Sequence, residues 1–279
     1  MGGSAVVVGW GLGLAVLLLL LIAAGSAVIA QLGVGSQVVV AAARAVAQLA
    51  LVSSVIVVVA RSLWLSVLFV LAMFAVASWT SARRVSRGGG AAASWLPIAA
   101  GTIPVLAIVV ACGAVPLTGI AIVPIAGIVI GGAMTATSLA GRRALDELAT
   151  RHGEYEAGLS LGFLPRDAAM EVCRPAATQA LVPPLDQTRT VGLVTLPGAF
   201  VGVLLGSGDP VQAGAAQLLV LIGLLAAEVV AVVITIELVA RGRIRRRSGP
   251  VDGRSRGPGR QLWRFWGRAR GADRPTAAG

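Results

Sequence analysis

The feature that most constrains this chain is a series of apolar runs, each near the length needed to cross a lipid bilayer. A transmembrane helix needs about 20 consecutive apolar residues. Such runs lie at 5–30, 38–60, 63–80, 93–115, 117–140, 191–207 and 212–240. Only 13% of the residues are charged, whereas soluble domains average about 25%. The sequence therefore predicts an all-α polytopic membrane protein with about seven transmembrane helices.

The first apolar run predicts a crossing rather than a secretory signal. Its leading segment, MGGSAVVVGW, carries no positive charge, and the run is longer than the apolar core of a signal peptide. We therefore expect a transmembrane permease domain over residues 1–240, followed by an Arg-rich tail over 241–279.

Arginines in the connecting segments predict the orientation, because short cytoplasmic loops are enriched in Lys and Arg. Arginines are present in the loop after the third run, in 141–190 and in the tail, whereas the turns near 115–117 and 207–211 have none. The pattern predicts a plasma-membrane protein whose N-terminus is outside and whose C-terminus is cytoplasmic.

Basic residues also restrict the chemistry of the chain. Residues 241–279 hold 12 arginines and 2 aspartates, which gives the tail +10 of the net +11. We expect this tail to be disordered or to lie on the membrane surface, and no folded basic surface suggests a nucleic-acid partner. The chain contains no lysine, so it lacks the lysine of a nucleotide-binding P-loop. Any ATP and Mg²⁺ must therefore be bound by a partner.

A polar interruption separates the fifth run from the sixth. Residues 141–190 contain a helical extension, a Gly-Phe-Leu-Pro turn and a second helix with a small apolar face. Because Pro165 can begin that second helix, the pattern predicts a cytoplasmic helix–turn–helix coupling segment tethered to both neighbouring spans.

Close helix packing is predicted at glycines spaced four residues apart: Gly127 and Gly131, then Gly198, Gly202 and Gly206.

Three polar residues within the spans are candidates for function, because ionisable groups in a bilayer are costly. Arg44 and Gln48 lie one turn apart in the second run, and Glu228 lies near the middle of the last, at a depth similar to that of Gln48. An Arg44–Glu228 pair would lower the cost of burying both charges. Met134 and Thr135 could line a path. No metal site is expected, because the single histidine, His152, is predicted to be cytoplasmic.

The stretch EAGLSLGFLPRDAA, residues 156–169, resembles the cytoplasmic coupling loop of ABC permeases, which docks on an ATPase subunit. This resemblance implies that the docking residues are Glu156, Ala157, Leu159, Leu161, Gly162, Phe163, Leu164 and Pro165.

Five segments follow one another along the chain: ARAVAQL (43–49), VPIAGIVIGGAM (123–134), LSLG (159–162), LVPPLDQTRTVGLVTLPG (181–198) and GDPVQA (208–213). Together, and in this order, they resemble the FetB-type permease family, which comprises bacterial iron-export permeases and plant relatives linked to aluminium tolerance. The resemblance covers about residues 36–242 and implies a permease homodimer that binds two ATPase subunits and exports a substrate, iron among the candidates. Members often carry Asn where this chain has Gly132.

Two functional hypotheses remain. The first is the permease subunit of an ABC transporter that exports a metal ion, iron among them, or a small solute. The second is a secondary transporter driven by an ion gradient, with Glu228 as its coupling residue. A co-purifying ATPase would distinguish them. The sequence shows no HExxH or GxSxG motif, and we do not expect an enzyme.

Overall fold

The computed structural model describes residues 9–85 and 91–245, which are α-helical apart from turns and one isolated bridge between Val191 and Thr195. The helices are α1 (Trp10–Ile29), α2 (Gly35–Ala60), α3 (Leu63–Val85), α4 (Trp95–Ala111), α5 (Gly119–Thr150), α6 (His152–Ser160), α7 (Pro165–Thr178), α8 (Val182–Thr190), α9 (Gly198–Ser207) and α10 (Pro210–Ala240). Two short 3₁₀ segments, Ala91–Ser94 and Gln179–Leu181, precede α4 and α8. The all-helical prediction is confirmed for this part of the chain.

Five of these helices are long and apolar enough to cross a membrane: α1, α2, α3, α5 and α10. Helix α4 has 17 residues, or about 25 Å, and α9 has 10, or about 15 Å, against a hydrocarbon core of about 30 Å. The prediction of one continuous helix over 191–207 is wrong. Gly192 has a φ of +81° in a turn that ends before Gly198, because a left-handed residue interrupts helical hydrogen bonding.

The centre of the fold is a pair of helices, α5 and α10, that run side by side in the same direction. Gly132 on α5 lies beside Leu224 and Glu228 on α10, and nine residues later Gly141 lies beside Thr235. Both sets of neighbours advance together along the two helices, so the helices are parallel. Helices α3 and α4 pack against this pair.

Close approaches in this bundle depend on glycines that the sequence pattern did not identify. A Cβ atom at Gly101 on α4 would lie 2.3 Å from the carbonyl oxygen of Ala227. A Cβ atom at Gly141 would lie 2.8 Å from Val85 on α3. Any side chain at these positions would push two helices apart.

The glycines predicted to mediate packing behave differently. At Gly127 a Cβ atom would lie 2.8 Å from the flexible end of Met73. At Gly131, Gly198, Gly202 and Gly206 a Cβ atom would meet no heavy atom within 4 Å. Within this chain, therefore, only Gly127 of the predicted set sits in a close helix contact.

Helix α7 lies across the C-terminal halves of both central helices. Ala177 on α7 and Ala180 in the 3₁₀ segment that follows it pack with Ala140 on α5 and with Val232 and Ile236 on α10. The amphipathic pattern of small apolar residues on α7 explains this contact, because alanine faces allow backbones to approach closely. The polar segment is thus joined directly to the centre of the fold.

Helices α1 and α2 form the periphery. Helix α1 packs on α2, which in turn contacts α3 and α5. Their surfaces are almost entirely exposed, and in each of them 6% of the most apolar 18-residue window is buried. Of the predicted Arg-rich tail, residues 246–279 lie outside the described part of the chain.

Candidate functional site

The turn between α6 and α7, which we call the elbow (residues 159–165), is fixed by its own backbone hydrogen bonds. The Phe163 N–H donates to the Gly158 carbonyl over 3.0 Å, and the Gly162 N–H donates to Leu159 over 3.0 Å. This pair of bonds is a Schellman motif, which requires a left-handed residue after the helix end. Gly162 supplies it with a φ of +90°. Pro165 then begins α7. The elbow is therefore a defined turn rather than a loose loop.

Large apolar side chains project from this elbow. Leu161 is 80% exposed, Leu164 67% and Phe163 51%. Leu159 is half-buried. In the same segment Glu156, Ala157, Gly162 and Pro165 are exposed. The structure thus places the eight predicted docking residues around one turn, and presents an apolar knob flanked by polar helix.

Helix α7 is attached to α10 by a charged cluster that sequence reasoning missed. Nε and Nη2 of Arg166 donate to the two carboxylate oxygens of Glu237 over 2.8 and 2.7 Å. Arg241 donates from Nε to the same glutamate over 2.5 Å. The fork of Arg166 matches a carboxylate in a bidentate pair. Since Arg166 follows the elbow directly, the elbow is tied to the end of α10. We call the three residues the α7–α10 clamp.

Arg151 organises the charges at the start of α6. It forms ion pairs with Glu147 (3.3 Å) and with Glu154. The hydrogen bond from Arg151 holds the pKa of the Glu154 carboxyl below its usual range. Nearby, His152 lies 3.8 Å from Glu156. These pairs stiffen an exposed helix end.

Cys173 on α7 is an interior packing residue. It is fully buried, and its thiol donates to the carbonyl of Ala144 on α5 over 3.7 Å. Burial raises the pKa of this thiol to about 12, so it is inert at neutral pH. Cys112 is exposed at the end of α4.

Glu228 is buried between the central helices without a hydrogen-bond partner for one oxygen. Glu228 is 7% exposed, and its Oε2 atom has no hydrogen-bond partner within the described chain. Oε1 lies 2.7 Å from where a Cβ atom at position 132 would stand. Helices α4 and α9 carry no charged residue, and α5 carries none before Arg142. Within the described chain no ion pair forms with Glu228, so no direct contact with an opposite charge compensates this carboxyl.

The described chain does not form the predicted Arg44–Glu228 pair. Arg44 and Gln48 are exposed on the peripheral helix α2, and Glu228 is buried where α10 meets α5. The pairing was predicted from position along each apolar run, and position along a run does not identify which helices face each other.

Met134 and Thr135 lie on α5, within one turn of Gly132, the residue that lies beside Glu228. Met134 packs against the core cluster formed with Ala133 and Ala231. Thr135 is exposed and donates to the carbonyl of Gly131 over 3.0 Å. Within residues 9–85 and 91–245, no group of three or more His, Cys, Asp and Glu side chains is placed to hold a metal ion.

The fold and these sites define a polytopic α-helical membrane protein with an exposed apolar elbow, which α7 attaches to the central helices. The chain belongs to UPF0014, an uncharacterised protein family whose model matches residues 10–244. No solved structure shows a significant match to it.

Three relatives illustrate the family. The chain is 34% identical to the UPF0014 membrane protein STAR2 of Oryza sativa subsp. japonica over 61% of its own length and 59% of the relative's. It is 35% identical to the Protein ALUMINUM SENSITIVE 3 of Arabidopsis thaliana over 56% of its own length and 57% of the relative's. It is 30% identical to the Probable iron export permease protein FetB of Escherichia coli (strain K12), over 63% of its own length and 69% of the relative's. The chain thus spans less than two thirds of the two plant relatives.

Proposed function

We propose that this chain is the permease subunit of an ABC transporter, powered by a separate cytoplasmic ATPase that binds ATP and Mg²⁺. The observation that carries the proposal is the elbow, where exposed Leu161, Phe163 and Leu164 project from a turn attached to the central helices. Large apolar groups clustered on an exposed turn mark a protein contact. The absence of lysine from the chain leaves ATP hydrolysis to the partner.

The rigid attachment of the elbow suits this role. A docking movement at residues 159–165 would reach α5 through the buried face of α7, and α10 through the Arg166–Glu237 pair. These are the helices that enclose Glu228. A movement of the elbow can therefore be transmitted to the membrane domain through a few packed and ion-paired residues.

The proposed substrate is a metal ion, with iron as the first candidate, or a small solute, and the direction is export. The support is that the Escherichia coli relative is named a probable iron export permease protein. The proposed assembly is a permease homodimer in the plasma membrane, with the elbow and the C-terminus in the cytoplasm. Arginines near the α5 and α10 ends that meet α7 favour this orientation.

A second candidate, a transporter driven by an ion gradient, draws its support from Glu228. A buried carboxyl with an unpartnered oxygen is typical of coupling residues in membrane transporters. The two candidates differ in their need for ATP, so transport by the purified permease alone would favour this one.

The test of the ABC proposal is ATPase capture by an elbow variant. Leu161→Asp replaces an 80% exposed apolar side chain with a charge, and we expect the variant to lose both ATPase co-purification and ATP-driven transport. Because the side chain contacts solvent rather than the core, the variant should still insert and purify as wild type does.

The matched control is Leu117→Asp, the same change at a 62% exposed leucine in the turn between α4 and α5. This control should keep the ATPase. If the Leu161 variant retains the ATPase as well as the control does, the elbow is not the docking site.

A further inference from the structure

The parallel arrangement of α5 and α10 forces the intervening chain to return across the membrane domain. The C-terminal halves of both helices meet α7. The other end of α10, at Pro210, therefore lies on the opposite face, about 45 Å away at 1.5 Å per residue. The chain leaves α7 on one face and enters α10 on the other. Residues 182–209 must make the crossing.

Two contacts place this returning segment against α10. At its start, Leu181 packs in the cluster that contains Val232 and Ile236. Near its end, the Phe200 N–H donates to Oε1 of Gln217 over 3.1 Å. Residues 182–199 thus descend along α10 from the level of Val232 to that of Gln217, about 22 Å. Helix α4 covers the same depth, because its Gly101 touches Ala227.

The segment at this depth is not a continuous apolar helix. Its first half is α8, VPPLDQTRT, in which Asp186 and Arg189 lie 3.6 Å apart with side chains that are 61% and 72% exposed. Gln187 beside them is also exposed. None of the nine residues of α8 is buried. Polar side chains at membrane depth are costly in lipid.

The second half is a turn with open backbone groups. The N–H groups of Leu193, Val194 and Thr195 all donate to the single carbonyl of Thr190. The carbonyls of residues 191–194 accept no backbone hydrogen bond in the described chain. Non-helical backbone at membrane depth occurs only where protein covers it or where it lines a water-filled cavity.

We infer that α8 and the turn 191–195 are the polar half of a discontinuous crossing, and that they line a water-filled path through the membrane domain. Helix α9 completes the crossing on the apolar side. The occupant of the path is water and a hydrated ion or small polar solute, because Asp186, Gln187 and Arg189 offer both charges and an amide. The identity of this path as the substrate route rests on the proposed transport function, whereas its contact with water does not.

Thiol accessibility tests the inference on the full-length permease in membranes. In a Cys112→Ser background, with the buried Cys173 retained, Gln187→Cys presents one thiol on the exposed face of α8. Arg174→Cys on α7 is the aqueous control and Leu19→Cys on α1, 65% exposed on an apolar surface, is the lipid control. The probes are a small charged methanethiosulfonate and a bulky polyethylene-glycol maleimide. Both react only with a thiolate in contact with water.

We expect the small reagent to modify Gln187→Cys and Arg174→Cys more than about tenfold faster than Leu19→Cys, since a thiolate does not form in lipid. The bulky reagent should modify Arg174→Cys alone. Modification of Gln187→Cys by both reagents would place α8 in open solution and overturn the crossing. Modification by neither would place it in lipid or in a dry contact, and would overturn the path.

A second measurement links the path to transport. Complete modification of Gln187→Cys by the small charged reagent should block ATP-driven transport while the ATPase remains bound. Full transport after complete modification would overturn the substrate route. If no ATPase binds the unmodified protein, the proposed function fails, yet the labelling pattern still decides whether α8 lines water.

Discussion

Helix α10 carries two glutamates whose surroundings are opposites. Glu237 is bonded to two arginines at the end of the helix, and its side chain keeps 21% of its exposure. Glu228, nine residues earlier, is buried with an unpartnered oxygen and no described counter-charge. The first is a structural attachment, because opposite charges offset its desolvation. The second costs stability where it is, which is the expected mark of a group kept for function.

Charge reversal is expected to separate the two glutamates by the largest effect on folding. Glu228→Lys places an ammonium group among apolar helices, which costs several kcal/mol without a partner. We expect no folded, monodisperse permease from this variant by size-exclusion chromatography in detergent. Glu237→Lys is the control, because the helix end lets lysine reach water; this variant should fold with a lower melting temperature. Equal loss in both variants would show that burial does not separate the two glutamates.

Breaking the α7–α10 clamp has a smaller effect. Arg166→Gln and Glu237→Gln each remove the bidentate pair. We expect each to lower the free energy of unfolding by about 1 kcal/mol, since the pair is partly exposed to solvent. The double variant should lose less than the sum, and thermal unfolding of all three measures the coupling. Arg174→Gln, an exposed arginine on the same helix, should change little. Additive losses would contradict the clamp.

Neutralising the buried glutamate has the smallest effect. Glu228→Gln keeps the shape of the side chain and removes the need to bury a charge. We expect the free energy of unfolding to stay within about 1 kcal/mol of wild type or to rise, while ATP-driven transport falls. Thermal unfolding and transport are measured on the same preparation. A marked loss of stability with normal transport would make Glu228 a structural residue after all.

Sequence patterns identified the long helices because the length of an apolar run is a property of the chain alone. The same holds for the turn at Gly162 and Pro165, where local residue types predict the backbone. The partners of charges were harder to predict. Arg166 and Glu237 are 71 positions apart, so no local spacing signals their contact. Arg44 was matched to Glu228 by depth, which says nothing about the direction in which a helix faces.

The prediction of one continuous helix over 191–207 failed for a physical reason. Residues 191–207 are apolar enough to resemble one helix, yet Gly192 adopts a left-handed φ and the helix begins only at Gly198. Pro183 and Pro184 stand in the first turn of α8, where a missing N–H has no cost, although such a pair is equally typical of the residues that follow a helix end. Composition alone does not distinguish a helix start from a helix stop at such a pair.

Gly132 leaves a small gap in the surface of α5, because its side chain is a single hydrogen atom. A methyl group there would lie 2.2 Å from Leu224 and 2.7 Å from Oε1 of Glu228. The leucine end can swing aside, but the carboxyl would have to leave the α5 backbone. The residue at position 132 therefore limits how closely the two parallel helices approach. With glycine the carboxyl of Glu228 contacts the α5 backbone, whereas any larger side chain would turn this carboxyl away from α5.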